Sequence, residues 1–335
     1  MFVYLFFPFA LIISSSLGIL ISPQWTIAPF IWVLLIIPII DSILPNLNKK
    51  LDNLNERKLH NLAIVIILPG ILFLIVSGLI VLSKSDMSYL TVASLGAAVG
   101  MSGGSIGITT AHELIHRNNK YMRGLGVILL TFCLYGHFRI EHIYGHHKHV
   151  ATRNDPATAR KGENFYFYFI RCIVMSFVSS WNIEKNHLRK KNINILSLKN
   201  RMIHYFILEL IILLTSFIIA GMHGLIFILV HSFISVLLLE LVDYIQHYGL
   251  ERNKINEKYE TYNELHSWNS RHSSANWSTF NLGLHSEHHK TASKHYPLLS
   301  QHKQKMEMPF NYPVMLIMAL LPFIWFRVMD KKLIK

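Results

Sequence analysis

The sequence predicts an all-α integral membrane protein with six transmembrane helices and a cytoplasmic, histidine-rich metal-binding region. Composition gives the class: of 335 residues, 52% are hydrophobic and only 15% are charged, and the mean hydropathy is +0.35, a balance that points away from a water-soluble globular protein. The chain also contains 20 histidines, many of them close to the ends of apolar segments. These histidines are the feature that a functional interpretation has to explain.

The apolar segments are long enough to cross a bilayer. A helix needs about 20 residues to span a hydrocarbon layer about 30 Å thick. Segments of this length are predicted as spans at 2–21, 25–44, 61–82, 88–111, 203–220 and 224–246. The first lacks the basic residues that begin a secretory signal peptide, so it is predicted to remain as a helix. The chain is then one membrane-embedded domain, 1–335, with histidine-rich regions at 112–202 and 247–335.

Basic residues predict the orientation of these helices. All Lys and Arg residues except Lys84 fall in the regions 45–60, 112–202 and 247–335, on one side of the predicted bundle. Because cytoplasmic loops retain basic residues, both termini and the large loops are predicted to be cytoplasmic, with the protein in the cell inner membrane. The net charge of +13 is therefore interpreted as orientation and as attraction to anionic lipid or an acidic redox partner, not as nucleic-acid binding.

Three further apolar segments are not predicted to cross. The segment 124–138 is short for a span, and it separates two histidine clusters that can cooperate only if they lie on the same side. It is therefore predicted to be re-entrant or interfacial. The segments 165–181 and 311–328 are rich in aromatic residues and have basic flanks, so they are predicted to lie in the membrane interface.

Nine histidines have the spacing of metal ligands. One pair, four residues apart, ends the fourth span and places both imidazoles on one helical face. A second cluster has i, i+4 and i+5 spacing, a third has i, i+3 and i+4 spacing, and a single histidine ends the sixth span. The predicted ligands are His112, His116, His142, His146, His147, His247, His285, His288 and His289.

The number and type of these ligands indicate two ions. Nine imidazoles exceed the four ligands of tetrahedral zinc, so two ions with four or five nitrogens each are predicted. Chemistry on hydrocarbon-like substrates in a membrane favours iron, which activates O2. Cys133 and Cys172 are too few for an iron–sulfur cluster, and no dinucleotide fingerprint is present, so the electrons are expected from another protein.

Acidic residues interleaved with the histidines are predicted to accept N–H groups from the ligating rings and so to orient them, with direct ligation as the alternative. These candidates are Glu113, Glu141, Asp155, Asp243 and Glu287. Histidines near the clusters that are candidates for the same supporting role are His137, His149, His266 and His272. The histidines interpreted as ordinary polar contacts of the bundle are His60, His204, His223 and His231.

These motifs resemble the bacterial membrane-bound alkane 1-monooxygenases and the related xylene monooxygenases, within the membrane fatty acid desaturase/hydroxylase superfamily. The most specific matches are HELIHR at 112–117, GHHKHVAT at 145–152, QHYGL at 246–250 and HSEHH at 285–289. The resemblance covers most of the chain. It departs from the usual family pattern at Asp243, Gln246, Gly283, Leu284 and Glu287, none of which is a predicted ligand.

The resemblance implies a cytoplasmic non-haem di-iron centre held by the nine histidines. It also implies that O2 is used to hydroxylate the terminal carbon of a hydrophobic substrate, most simply a medium-chain n-alkane that becomes a primary alcohol. The electrons would come from a rubredoxin or ferredoxin-type donor with its NAD(P)H-dependent reductase. Residues expected to set the width and length of a substrate tunnel are Trp32, Val33, Gly100, Gly103 and Gly104.

Other functions are compatible with the same motifs. A methyl-group hydroxylase of alkyl aromatics or a lipid desaturase would use the same di-iron site. HELIH at 112–116 also matches the signature of an intramembrane zinc protease, although that interpretation gives no role to seven of the nine histidines. A divalent-metal transporter would place its ligands at mid-membrane in broken helices, whereas these lie at helix ends and in loops.

Overall fold

Helices make up nearly all of the regular structure in a computed structural model that describes residues 1–47, 56–303 and 305–333. This confirms the predicted all-α class. Four of the helices follow the first four predicted spans and are long and apolar enough to cross a membrane: α1 (Val3–Leu20), α2 (Pro23–Ile43), α3 (Leu59–Leu82) and α4 (Tyr89–Ile115). Two basic residues of the predicted loop 45–60, Lys49 and Lys50, lie outside the described residues.

α4 is the span that leads into the histidine region. It begins where the Ser88 hydroxyl accepts a hydrogen bond from the Thr91 amide at 3.2 Å, which satisfies one of the free amides of the first turn. It continues beyond its predicted end at residue 111 as far as Ile115, so His112 lies inside the helix and His116 caps its last turn.

The chain then folds back along α4. α5 (Lys120–Phe132) has 13 residues, too few to cross a bilayer. A Cβ atom on Gly126 would lie 2.9 Å from the carbonyl oxygen of Ala111, so the missing side chain lets the two helices pack closely. The next helical segment, α6 (138–149), has a π-helical middle at Glu141–His146. The segment 124–138 therefore does not separate the two histidine clusters, in agreement with the re-entrant prediction.

α7 (Phe165–Arg189) exposes an apolar face, as expected of a helix that lies against the membrane. Its inner face buries Phe165, Tyr168 and Cys172, while apolar side chains three or four residues apart are exposed at Phe167, Ile170, Val174 and Val178. Contact of such a continuous apolar face with lipid is favourable, whereas contact with water is not.

α8 (Arg201–His247) contains the last two predicted spans, 203–220 and 224–246, in one 47-residue element. Ala220 and Gly221 interrupt it with non-helical torsion angles, and Gly221 has φ +55° and ψ −139°, a region that is open essentially to glycine alone. A Cβ atom on Gly224 would fall on the carbonyl oxygen of Ser216. Residues eight apart in a straight helix are about 12 Å apart, so the chain reverses here and the two halves form a hairpin.

The second half of α8 packs directly on α4 through glycines. Cβ atoms on Gly96, Gly100 and Gly104 would lie 2.7, 2.8 and 2.9 Å from carbonyl oxygens of successive α8 turns, those of Phe227, His231 and Ser235. Small residues at four-residue spacing let two membrane helices approach to backbone contact. The expectation that Gly100 and Gly103 set the width of a tunnel is therefore wrong, because both contact α8: Gly100 meets Ile234, and Gly103 meets Ser235.

A short layer of irregular structure closes the histidine side of the bundle. It begins with a two-residue antiparallel hairpin, β1 (Lys254–Ile255) and β2 (Lys258–Tyr259), and contains the helices α9 (Ser273–Ser278) and α10 (His285–Lys290). Asp41 at the end of α2 accepts hydrogen bonds from the amide and hydroxyl of Ser274, both at 2.7 Å. This contact holds α9 against α2.

The last two helices form a bent pair. α11 (Tyr312–Ala319) and α12 (Pro322–Leu333) meet at an angle of 120°. α11 packs against α2 and α8, whereas Phe323 at the start of α12 is 73% exposed. The bend shows why the predicted interfacial segment 311–328 is not a straight span.

Candidate metal centre

Four helices meet on one side of the bundle and carry all nine predicted ligands. His112 and His116 lie at the end of α4, His142, His146 and His147 in α6, His247 at the end of α8, and His285, His288 and His289 in α10. All nine are buried or half-buried.

The structure divides these histidines into two groups, each able to hold one ion. In each group, one ring nitrogen of every member lies within 4.8 Å of those of all the others. The five-histidine group contains His112, His116, His142, His147 and His288, and the four-histidine group contains His146, His247, His285 and His289.

Local helix geometry explains why neighbours in sequence fall in different groups. The π-helical turn in α6 pairs residue i with residue i+5, so His147 lies above His142 and both join the five-histidine group. His146 then faces the four-histidine group. In α10, His285 and His289 share one face at i,i+4, while His288 points to the other group.

The nitrogen separations fit metal coordination. In the five-histidine group, the Nε2 atom of His142 lies 2.9 Å from that of His116 and 3.0 Å from that of His147. In the four-histidine group, the Nε2 atom of His285 lies 3.0 Å from those of both His247 and His289. Nitrogens about 2.1 Å from one ion and at right angles to each other are about 3.0 Å apart. Imidazoles cannot satisfy so many convergent nitrogens by sharing protons, whereas a cation can.

Burial keeps these rings in the form that binds a metal. Outside the membrane spans, burial, followed by the charges of His146 and Arg117, lowers the pKa of His116 to about 3. Burial and then the neighbouring histidines likewise hold the pKa values of the other ligands in α6 and α10 well below their usual range, at His142, His147, His285, His288 and His289. The neutral imidazole, which offers a lone pair, is therefore favoured.

Asp155 orients one of the ligand rings. Its Oδ2 lies 2.9 Å from Nδ1 of His146 and accepts a hydrogen bond from the Thr158 hydroxyl at 2.6 Å. Burial opposes the charge of His146, but Asp155 outweighs it, so the pKa of His146 is raised and that of Asp155 is lowered. The proton is thus held on Nδ1, which leaves Nε2 free to face the four-histidine group.

The other acidic candidates do not hydrogen-bond to a predicted ligand among the described residues. Glu113 pairs with Arg117 at 2.7 Å and accepts the Tyr296 amide at 3.1 Å. Glu287 pairs with Lys294 at 3.1 Å. The two remaining candidates are Glu141, which is buried beside Gly145, and Asp243, which lines a cavity.

The nearby histidines also have other partners. The His266 ring accepts the Asn263 amide at 3.0 Å, and the His272 ring lies 3.0 Å from the Ser270 hydroxyl. The His137 ring packs on Tyr135, with ring centroids 4.4 Å apart, and His149 is only half-buried.

Sequence reasoning missed two side chains beside the four-histidine group. The Ser267 hydroxyl lies 3.4 Å from Nδ1 of His247, and the Tyr262 ring packs on His289 with centroids 5.2 Å apart. Tyr262 donates a hydrogen bond to Ser267 at 2.8 Å. No ligand-type spacing links either residue to a histidine cluster.

A largely apolar cavity reaches both groups. Its wall includes His112 and His142 of the five-histidine group and His285 of the four-histidine group. Most of the rest comes from α2, α4, α8, α9 and α11, with Leu11 of α1 and Phe138 of α6. It includes the expected tunnel residues Trp32, Val33 and Gly104.

Comparison with known proteins agrees with this geometry. Residues 87–317 match the family model described as fatty acid desaturase. The chain belongs to the fatty acid desaturase family. Its similarity to an alkane 1-monooxygenase 2 of Pseudomonas aeruginosa is 31% identity over 95% of this chain and 89% of that protein, which confirms the resemblance drawn from the motifs.

Two further relatives of this desaturase-family chain are more similar over a shorter stretch. An alkane 1-monooxygenase 1 of Pseudomonas aeruginosa is 37% identical and an alkane 1-monooxygenase 2 of Alcanivorax borkumensis is 34% identical, each over 70% of this chain and 62% of the relative. The chain thus spans less than two thirds of the length of these two relatives. With its apolar helices, the match supports a multi-pass membrane protein with a metal site.

Proposed function

We propose that this protein is a non-haem di-iron monooxygenase that hydroxylates the terminal carbon of a medium-chain n-alkane to a primary alcohol. The observation that carries the proposal is the pair of buried imidazole groups opening on one apolar cavity. The reaction is R–H + O2 + 2 e⁻ + 2 H⁺ → R–OH + H2O. A buried, all-imidazole donor set suits a redox-active transition metal, and the two groups suit two ions. When bound, the irons supply the activation of O2.

The residues of the cavity account for binding and for the site of attack. Apolar side chains of α2, α8 and α11 exclude water and bind an alkyl chain. His112, His142 and His285 line this cavity, so a chain that enters it tip first presents its terminal carbon to the metal centre. Terminal hydroxylation then follows from position, since the terminal C–H bond is the strongest in an alkane.

The electrons are supplied by a rubredoxin or ferredoxin-type donor with its NAD(P)H-dependent reductase. Both cysteines are buried and unpaired with each other, and an iron–sulfur cluster needs more thiolates than these two. The donor binds the basic side of the molecule, which is the cytoplasmic side of the cell inner membrane. No nucleic acid is involved.

The geometry disfavours a zinc protease built on the HELIH motif. Such an enzyme needs Glu113 as a general base for water. Here Glu113 is tied to Arg117 and to the Tyr296 amide, and the two flanking histidines form one group with three others. The alternative substrates, alkyl aromatics and lipids to be desaturated, would use the same centre.

The test is product analysis with membranes that contain the protein, O2, NADH and an added rubredoxin and reductase. With a panel of n-alkanes, toluene and acyl lipids, we expect 1-alkanols from medium-chain alkanes. The purified protein should contain about two irons per chain, and His285→Ala should lose both iron and activity. His223→Ala, outside both groups, is the matched control. Secondary alcohols, alkenes or benzyl alcohol as the main product would overturn the proposed substrate.

A further inference from the structure

Two acidic residues on the inner face of α8 form no hydrogen bond with a predicted ligand among the described residues. Glu240 and Asp243 are 2% and 6% exposed, and they lie three residues apart, on the same side of the helix. Neither forms an ion pair within the described ranges, where buried acids such as Glu184 and Glu113 do pair with arginines. A carboxyl group without a bound cation is free to exchange a proton with a neighbouring hydroxyl group.

Hydroxyl groups of that kind surround Glu240. The Tyr135 hydroxyl donates to its Oε1 at 2.8 Å, and the Tyr168 hydroxyl lies 3.4 Å from its Oε2. Both tyrosines are buried. Tyr135 lies in the turn between α5 and α6, so this cluster joins the re-entrant segment to the membrane helix.

Asp243, three residues after Glu240, lies in the cavity wall. It is the one acidic side chain among the described residues that line the cavity, and it shares that wall with His112, His142 and His285. An acid in the wall of an otherwise largely apolar cavity does not assist the binding of an alkyl chain. It is well placed to supply protons where O2 is consumed.

We propose that Asp243 donates protons to the reaction in the cavity and that Glu240, together with Tyr135, resupplies them. This inference rests on the proposed function. Each turnover takes up two protons and two electrons: one oxygen atom is inserted into the C–H bond, and the other leaves as water with both protons. The electrons come from the rubredoxin or ferredoxin-type donor. Each proton that leaves the Asp243 carboxyl is replaced from Glu240, and Glu240 regains its proton, through Tyr135, from the water that is the source of both protons.

The experiment compares Asp243→Asn, Glu240→Gln and the conservative Asp243→Glu. Glu209→Gln is the matched control, because Glu209 is another acid on α8 and lies outside the cavity. Glu209 accepts a hydrogen bond from the Gly136 amide, and the side-chain carbonyl of glutamine can still accept it. Losing a proton donor typically slows a reaction about 100-fold or more. We expect this loss of kcat in Asp243→Asn, with iron content and the alkane KM unchanged and a larger solvent deuterium isotope effect.

Glu240→Gln should show a smaller loss of kcat with the same rise in isotope effect, and Asp243→Glu should recover much of the activity. Wild-type kcat and isotope effect in Asp243→Asn would overturn the relay. So would a loss that comes with lost iron or an unchanged isotope effect, since either result indicates a structural role. If Asp243→Asn does not fold, the kcat, iron content and solvent isotope effect of Glu240→Gln and Asp243→Glu test the relay in its place.

A second readout does not depend on turnover. The relay should hold a dissociable carboxyl proton, seen as an infrared carbonyl band of the oxidised protein that shifts in deuterium oxide and weakens in Asp243→Asn or Glu240→Gln, but not in Glu209→Gln. If the wild-type protein forms no alcohol, the proposed function fails. The band then tests only whether Asp243 and Glu240 hold a dissociable proton: its presence supports such a pair, and its absence overturns it.

Discussion

Single residues decide how each histidine ring faces its group. His146 shows the principle: its Nδ1 is held 2.9 Å from Asp155, so its Nε2 points to His289 at 3.2 Å. Asp155 is itself fixed, because the Ala157 amide donates to its other oxygen at 3.1 Å. The ring is thus oriented before a metal binds, which reduces the cost of binding.

At the residue scale, we predict that Asp155→Asn lowers the affinity for iron by about 10- to 100-fold, the usual effect of removing a charged partner from a ligating histidine. The change keeps the shape of the side chain but removes the charge that raises the pKa of His146. The measurement is competition for Fe(II) with a chelator. Glu184→Gln, which breaks an ion pair with Arg201, is the control and should leave the affinity unchanged. An unaltered affinity in Asp155→Asn would contradict this role.

At the scale of helices, close packing between backbones gathers the ligands. α5 returns the chain to the side of His116 because Gly126 lies against α4. Without this return, α6 and its three histidines would not reach the end of α4. The hairpin at Gly221 acts in the same way, since it reverses α8 and so brings His247 to the site.

The two glycines of α5 give a matched pair of substitutions. Nothing lies within 4 Å of a Cβ atom on Gly124, whereas on Gly126 it would meet the Ala111 carbonyl and the Leu114 and Ile115 side chains at 2.9 to 3.0 Å. Gly124→Ala should stabilise the protein by about 0.5–1 kcal/mol through helix propensity. Gly126→Ala should destabilise it by about 1–3 kcal/mol through overpacking. Thermal unfolding in detergent measures both, and equal shifts would refute the close contact.

At the scale of the whole molecule, the distribution of charge predicts the orientation in the membrane. We predict that Arg160→Cys is labelled by a membrane-impermeant reagent only from the cytoplasmic side and Lys84→Cys only from the opposite side. Both native cysteines are buried, so single added thiols can be read without removing them. Labelling of both sites from the same side would show that the predicted orientation is wrong.

Basic residues beside the two histidine groups also predict how the electron donor binds. His116, His147 and His289 are the half-exposed members of the two groups, and the exposed Lys148 and Lys290 follow two of them. The KM for an acidic donor should therefore rise with ionic strength as the Debye length falls below about 8 Å. Lys148→Glu should raise this KM several-fold at low salt, and Lys84→Glu on the opposite side should not. A KM independent of salt would contradict electrostatic docking.

The sequence alone determined the apolar spans, the nine candidate ligands and the family, because these depend on residue type and on spacing within single helices. Only the tertiary structure decided the division into five and four histidines, the pairing of Asp155 with His146, and the cavity that reaches both groups. These depend on contacts such as that between His147 and His288, 141 residues apart, and no local period encodes such a distance. The small side chains of Gly100 and Gly103 predict open space, but α8 fills it, because the spacing of small residues in one helix does not specify which neighbouring helix packs on them.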